Sequence, residues 1–254
     1  MKALITGASS GIGYHIAKYL SKLGYDLIVV ARRRDCLENL KLECKTNVRM
    51  ITLDLSKEEN VYELYHKVRK ENIDILVNNA GCGMFGYFEH VSLEKELEML
   101  QINVIALHIL TKLFLKDMQK RQKGYILNVG SLAGFTVGPL MSSYYASKSY
   151  VVRLTQAIYY ELKKSKSRVK ISVLCPGPVD TQFNENLGIT FTTRPLSSEY
   201  VAKYGVDSCL KGKQVIIPGK IAKMTYFFSK ILPDSFVARM NYYIQYHKKR
   251  KNIC

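Results

Sequence analysis

Metal-ligand spacing, paired cysteines and membrane-length apolar runs are all missing from this sequence. Its cysteines (Cys36, Cys44, Cys82, Cys175, Cys209 and Cys254) lie far apart with no CxxC pair, which argues against a disulfide framework and for reduced thiols. The histidines His15, His66, His90, His108 and His247 show no HxxxH or HxH spacing, so no metal site is expected. No uninterrupted apolar run approaches the ~18 residues of a membrane span. No repeat, low-complexity tract or Pro/Gly/Ser-rich linker divides the chain, and a single domain is the simpler expectation. A glycine turn that begins at Gly7 leaves no room for a secretory leader ahead of it, so the expected location is cytoplasmic.

Acidic residues are also scarce: 21 against 38 basic ones, a formal charge of +17. Beyond Val201 the acids are Asp207 and Asp234 alone, facing eleven lysines and arginines. Such a field attracts anionic surfaces, acidic proteins or nucleic acid. No nucleic-acid-reading module accompanies it, so nucleic acid is not an expected partner. A weak contact with an anionic surface or an acidic protein through the basic C-terminus is the remaining option, beside a merely solvated tail.

What is present is alternation. Short β-rich runs at Ala3–Thr6, Asp26–Ala31, Val48–Leu53, Ile73–Asn78, Gly124–Gly130, Lys170–Cys175 and Gln214–Pro218 are separated by longer amphipathic stretches. Helices are expected near Gly11–Leu23, Arg34–Cys44, Lys57–Lys70, Leu93–Arg121, Ser142–Ser165 and Ser197–Leu210. Runs such as Leu27-Ile28-Val29-Val30 are continuously apolar, as strands covered on both faces must be. The fold class is therefore α/β, a Rossmann-like doubly wound parallel sheet with helices on both faces. That catalytic domain is expected over 1–219, with a polar substrate lid at about 182–210. Residues 220–254 read as a basic helical appendage. Its Phe236, Val237, Met240, Tyr243 and Ile244 mark one apolar face, expected to pack on the sheet or on a partner subunit.

Three motifs carry chemistry. Thr6 to Gly13 reads TGASSGIG directly after the first strand. Glycine costs roughly 0.5–1 kcal/mol against alanine in regular structure, so this crowding implies a close approach to the backbone. A pyrophosphate at the helix N-terminus is the natural visitor, held around Gly7, Ser9, Ser10, Gly11, Ile12 and Gly13. Arg32 and Arg33 follow the second strand, where an NAD-binding fold places an acid on the ribose; guanidinium groups there favour a 2′-phosphate, hence NADP(H) over NAD(H). Tyr144 and Lys148 stand one helical turn apart, and an ammonium beside a phenol lowers the phenol's pKa. Tyr145 has Ser149 at the same spacing and is the weaker candidate.

Together with Leu53-Asp54-Leu55, Asn78-Asn79-Ala80-Gly81, Asn103, Gly130-Ser131 and Pro176 to Thr181, these motifs occur in the order and spacing of the short-chain dehydrogenase/reductase family, which the chain resembles from Lys2 to about Gly219. The resemblance implies a seven-stranded sheet of order 3-2-1-4-5-6-7. It implies Tyr144 as acid/base, Ser131 on the substrate oxygen, Lys148 on the nicotinamide ribose and Asn103 positioning a relay water. It places Asp54 and Leu55 at the adenine, Asn79 and Ala80 at the adenosine ribose, and Val179 and Thr181 at the carboxamide and pyrophosphate. It also implies a homodimer, or less readily a tetramer, built on Leu93–Arg121 and Ser142–Ser165. Cys82 and Cys175 receive no catalytic role.

The substrate wall is expected from Cys82, Met84, Phe85, the Leu132–Met141 segment and a lid near Phe183 to Phe191, mostly apolar. That suits a hydrophobic carbonyl or secondary alcohol, steroid-like or similar. The rival readings are a reductase of 3-oxoacyl thioesters on an acyl carrier protein and a catalytically silent NADP-sensing protein.

Overall fold

The computed structural model describes residues 1–183 and 195–250. Seven parallel strands form the central sheet: β1 (Lys2–Thr6), β2 (Asp26–Ala31), β3 (Val48–Thr52), β4 (Ile75–Asn78), β5 (Tyr125–Val129), β6 (Lys170–Leu174) and β9 (Val215–Ile216). Their spatial order is β3-β2-β1-β4-β5-β6-β9. This is the expected order. The last strand takes the number nine only because β7 (Val179–Asp180) and β8 (Leu196–Ser197) form a small parallel pair of their own.

The helices are α1 (Gly11–Lys22), α2 (Arg34–Glu43), α3 (Glu58–Val68), α4 (Leu93–Leu100), α5 (Leu107–Arg121), α6 (Ser142–Lys164), α7 (Ser198–Leu210), α8 (Lys220–Phe228) and α9 (Asp234–Arg250). Successive strand residues point to opposite faces, and the two cores follow that period. Ala3, Ile5, Leu27, Val29, Ile75, Val77 and Leu127 pack under α1 and α7 through Ile16, Leu20, Val201 and Val206. The alternate residues Leu4, Ile28, Val30, Leu76 and Ile126 pack under α3 and α5 through Leu64, Leu110, Phe114 and Met118. Burial on both faces is why these strands are apolar at every position.

Three departures from the sequence expectation bear on the site. The stretch Leu93–Arg121 is not a plain α-helix: a π-helical turn at Gln101–Ala106 separates α4 from α5. That stretch is long and apolar enough by composition to cross a membrane, but Leu107, Leu110, Phe114 and Met118 are buried under the sheet. Of the lid expected over 182–210, residues 184–194, with Asn184, Asn186, Gly188, Phe191 and Thr193, lie outside the described residues. The α7 portion is no cover, because Val201, Ala202, Val206 and Cys209 bury it in the core beside α1.

The third departure concerns α9. Of the apolar face read from sequence, Val237 alone is buried, while Phe236, Met240, Tyr243 and Ile244 are exposed. The helix instead turns Val237, Asn241 and Gln245, spaced one turn apart, towards the loops that follow β4 and β5 and the first turn of α6. Asn241 Nδ2 donates to the Val137 carbonyl at 2.7 Å, Gln245 Nε2 donates to the Tyr145 hydroxyl at 3.2 Å, and the Tyr242 and Tyr87 hydroxyls lie 3.2 Å apart. Those loops present polar groups that an apolar face would leave unsatisfied. The side chains of Lys248, Lys249 and Arg250, and all of Lys251, lie outside the described residues.

Candidate active site

Strand order reverses between β1 and β4, and a cleft of about 600 Å³ opens there at the carboxyl ends of the strands. Such reversals are where open α/β sheets bind ligands, since flanking loops diverge to opposite faces. Gly7, Ser9, Ser10, Gly11 and Ile12 line one wall, and Arg32, Arg33, Asp54 and Leu55 continue it. Asn79, Ala80, Val179 and Thr181 line it as well, with Ser131, Tyr144 and Lys148 beyond. Of the catalytic and cofactor-binding residues expected from sequence, Gly13 and Asn103 are the two absent from this lining.

Gly7 and Gly11 hold φ of +65° and +57°, and a side chain on Gly11 would come within 2.8 Å of Thr181. The turn thus keeps bare backbone facing the cleft at the start of α1, where free amides and the helix dipole favour an anion. Gly13 has a different reason. A Cβ there would lie 2.3 Å from Asn79 Nδ2 and 2.4 Å from the Gly7 carbonyl. It is glycine so that α1 can pack onto the β4 loop, whose Asn79 amide donates to the carbonyls of Gly7 (2.9 Å) and Thr6 (3.1 Å). The Thr6 hydroxyl accepts from the Asn79 and Ala80 amides at 3.0 and 3.1 Å, completing the clasp.

Arg33 reaches back over the turn. Its Nη2 donates to Ser9 Oγ at 3.2 Å and to Gln182 Oε1 at 3.0 Å. Arg32 forms a long, exposed ion pair with Glu98 at 3.5 Å. Of the two, Arg33 is the guanidinium held against the anion-favouring turn. From β2 to β5 is three strand spacings, about 14 Å, which separates this cationic end from Tyr144 and Ser131.

At that other end Ser131 caps a short 3₁₀ turn over Leu132–Phe135, its Oγ accepting from the Ala133 amide at 3.1 Å. Its hydroxyl stands near enough to the Tyr144 phenol to pull the phenol's pKa downward. Lys148 is buried within α6, with Nζ donating to the Val129 carbonyl at 3.1 Å and lying 5.8 Å from the Tyr144 ring centre. Burial pushes the lysine down from its ordinary 10.5 to about 8. Burial also raises Tyr144, against the opposing pull of Ser131. This corrects the sequence expectation of a lowered phenol. Desolvation of the phenolate wins, because the lysine sits by the ring and is committed to the Val129 carbonyl. Cys175 is likewise pushed up by burial, to about 12, and Cys82 is raised, so neither thiol is an activated nucleophile.

Asn103 sits in the π-turn rather than on the cleft wall. Its Oδ1 accepts from the Cys82 amide at 3.0 Å, while Nδ2 donates to the Cys82 carbonyl at 2.9 Å and to Ser147 Oγ at 3.1 Å. The wider turn aims this amide at the loop after β4, a frequent use of π-bulges. Asn78 is structural, donating to Thr111 and to Asn128 between strands.

The substrate wall differs in part from expectation. Cys82, Leu132, Met141 and Phe183 do line the cleft, and the Phe183 ring lies 5.6 Å from that of Tyr144. Phe135 instead packs edge-on against Tyr226 of α8 at 4.6 Å, because the 3₁₀ turn points it outward. Val137 is exposed, and Met84 and Leu140 line a separate small cavity of about 10 Å³. Phe85 lines neither cavity. Two residues of this wall are not expected there from sequence: Tyr145, read only as a weaker acid/base candidate without a cationic neighbour at helical spacing, and Gln245, more than sixty positions beyond Phe183. The Val237-Asn241-Gln245 stripe was the one available signal for the latter.

The family model for short chain dehydrogenase matches residues 1–190. Dehydrogenase/reductase SDR family member 11 of Bos taurus is 34% identical over 192 residues, 71% of this chain and 75% of that protein. Estradiol 17-beta-dehydrogenase 11 of Mus musculus is 33% identical over 249 residues, 92% of this chain and 80% of its own. Among solved structures, a short-chain dehydrogenase from Sphingobium yanoikuyae in complex with NADPH superposes with a TM-score of 0.81 at 27% identity, covering 90% of this chain and 92% of that one. With its strand order, glycine turn and Ser131-Tyr144-Lys148 cluster, the chain belongs to the short-chain dehydrogenase family.

Proposed function

We propose that this protein is an NADP(H)-dependent oxidoreductase that interconverts a hydrophobic ketone and its secondary alcohol. The observation that carries the reading is one cleft with Ser131, Tyr144 and Lys148 at one end and Arg33 at the other, joined by the bare turn of Gly7 to Ile12. The cradle fits a dinucleotide: the turn amides suit a pyrophosphate, and Arg33, fixed by Ser9 and Gln182, suits a 2′-phosphate. Asp54 and Leu55 would bound the adenine and Asn79 and Ala80 its ribose, while Lys148 would take the nicotinamide ribose and Val179 and Thr181 the carboxamide side. The nicotinamide, when bound, supplies or accepts the hydride.

The chain's own residues handle the oxygen and the proton. The Tyr144 phenol, raised above its ordinary value by desolvation at the cleft wall, stays protonated at neutral pH, which suits it to donate to an oxygen that gains charge as a carbonyl is reduced. Ser131, beside that phenol on the cleft wall, directs a second hydrogen bond to the same oxygen. Asn103 acts at one remove by fixing the Cys82 backbone, and it also holds Ser147, one position before Lys148. Leu132, Met141, Tyr145 and Phe183 exclude water from the reacting end. The estradiol dehydrogenase relative supports a bulky, steroid-like substrate. A homodimer across α4–α5 and α6 is part of the proposal, supported by exposed Leu93, Leu97, Tyr150 and Tyr160 on those helices.

The test is oxidation of NADPH and NADH by the pure protein across a panel of bulky ketones and acyl thioesters, with Tyr144→Phe alongside. Turnover that prefers NADPH and a ketone, and falls at least ~100-fold in Tyr144→Phe, is expected. Turnover of acyl-carrier thioesters alone would favour the rival reductase. Tight NADPH binding without turnover of any substrate in the panel would favour a sensor.

A further inference from the structure

The helices α8 and α9 are inside out. A surface helix ordinarily buries its apolar stripe and shows water its polar one. In α8, Ala222 is buried and Tyr226 partly so, while Ile221, Met224, Phe227 and Phe228 are exposed. In α9 the inward stripe is Val237, Asn241 and Gln245, and the opposite face carries Phe236, Arg239, Met240, Tyr243 and Tyr246. Ile231, in the turn between them, is 62% exposed. Isolated exposed apolar residues need no explanation, but two consecutive helices with outward apolar faces do.

Charge identifies the occupant. From Lys220 to His247 the cations are Lys220, Lys223, Lys230 and Arg239, against Asp234 alone. Lys223 lies 5.7 Å from the Tyr204 ring and Lys230 5.4 Å from that of Tyr226, so both are anchored beside the apolar face. A second copy docked about a two-fold axis would set this cationic patch against itself. An apolar face mixed with tyrosines and rimmed by lysines matches the interface of an anionic bilayer, where rings and methylenes enter the headgroup boundary and ammonium groups meet phosphates.

We propose that the outer face of α8 and α9 docks this protein on an anionic membrane surface. Because the inner side of α9 carries Gln245 at the substrate wall, docking sets the reacting end of the cleft about one helix diameter, ~10 Å, from the lipid.

The test is sedimentation of the full chain with phosphatidylcholine vesicles and with vesicles containing about one-third phosphatidylserine. Wild type is compared with the triple variant Phe236→Ser, Met240→Ser, Tyr243→Ser, with thermal unfolding confirming that the variant folds. Binding to the anionic vesicles is expected, weakened roughly tenfold or more by the variant and again by raising salt to about 0.5 M. Wild-type binding no tighter than the variant's, or none at all, overturns the proposal. So does an oligomer, by light scattering, that dissociates in the variant, which gives the face to a second copy. Retention on polyglutamate without vesicle binding overturns it too, in favour of an acidic protein.

Discussion

Lys148 is a charge that the fold would be more stable without. Its shift from 10.5 to about 8 means that holding the ammonium in this site costs about 3 kcal/mol relative to the unfolded chain. Replacing it with methionine, similar in length and apolar, removes that penalty but orphans the Val129 carbonyl, a loss of about 1–2 kcal/mol. Lys148→Met is therefore expected to gain roughly 1–2 kcal/mol near pH 7 while losing activity. The pH dependence fixes the sign. Between about pH 8 and 10.5 the unfolded lysine carries a proton that the native one has released, so wild-type stability rises with pH over that window, and below pH 8 the penalty is full. The variant has no such group. Its advantage should shrink through that window and reverse near pH 10, as measured by urea unfolding of both proteins at several pH values. Other titrating groups cancel in the difference. A variant less stable than wild type at pH 7, or a difference that does not change with pH, would show that the buried ammonium does not destabilise the fold.

Arg33→Ala should weaken NADPH binding about 10- to 100-fold and leave NADH binding nearly unchanged, by fluorescence titration, since one charge-assisted contact to a 2′-phosphate is worth about 1.5–3 kcal/mol. Gly13→Ala should destabilise by about 1–3 kcal/mol, despite alanine's better helix propensity, because its methyl collides with Asn79 and the Gly7 carbonyl. A melting temperature equal to or above wild type would show that α1 can yield there.

Much of the fold was legible because it rests on local chemistry. Strands covered on both faces must be apolar throughout, and β1, β2 and β4 announce themselves that way. Arg33, Tyr144 and Lys148 lie in short motifs whose spacing places them beside strand ends or on one helix face. The errors arose where a distant segment decides the outcome. The reading of Gly13 as cofactor-facing failed because its neighbour is Asn79, on another strand's loop. Phe135 leaves the expected pocket because a 3₁₀ turn carries it to Tyr226 of α8, a contact that no local pattern contains. For α9, hydrophobic periodicity alone selected the outward face.

The α/β alternation, the bare glycine turn and the identities of the groups in the cleft were set by the sequence alone, because each depends on residues within a few positions of one another. The tertiary structure decided what those groups are worth. It buried Lys148 and desolvated the Tyr144 phenol at the cleft wall enough to outweigh their proximity, and wedged Asn103 into the Cys82 loop through a π-turn. It brought Gln245 back across the chain to the cleft wall and left the apolar residues of α8 and α9 facing outward. Burial and direction are set by whatever segment arrives from elsewhere in the chain, and no local pattern of residues contains that information.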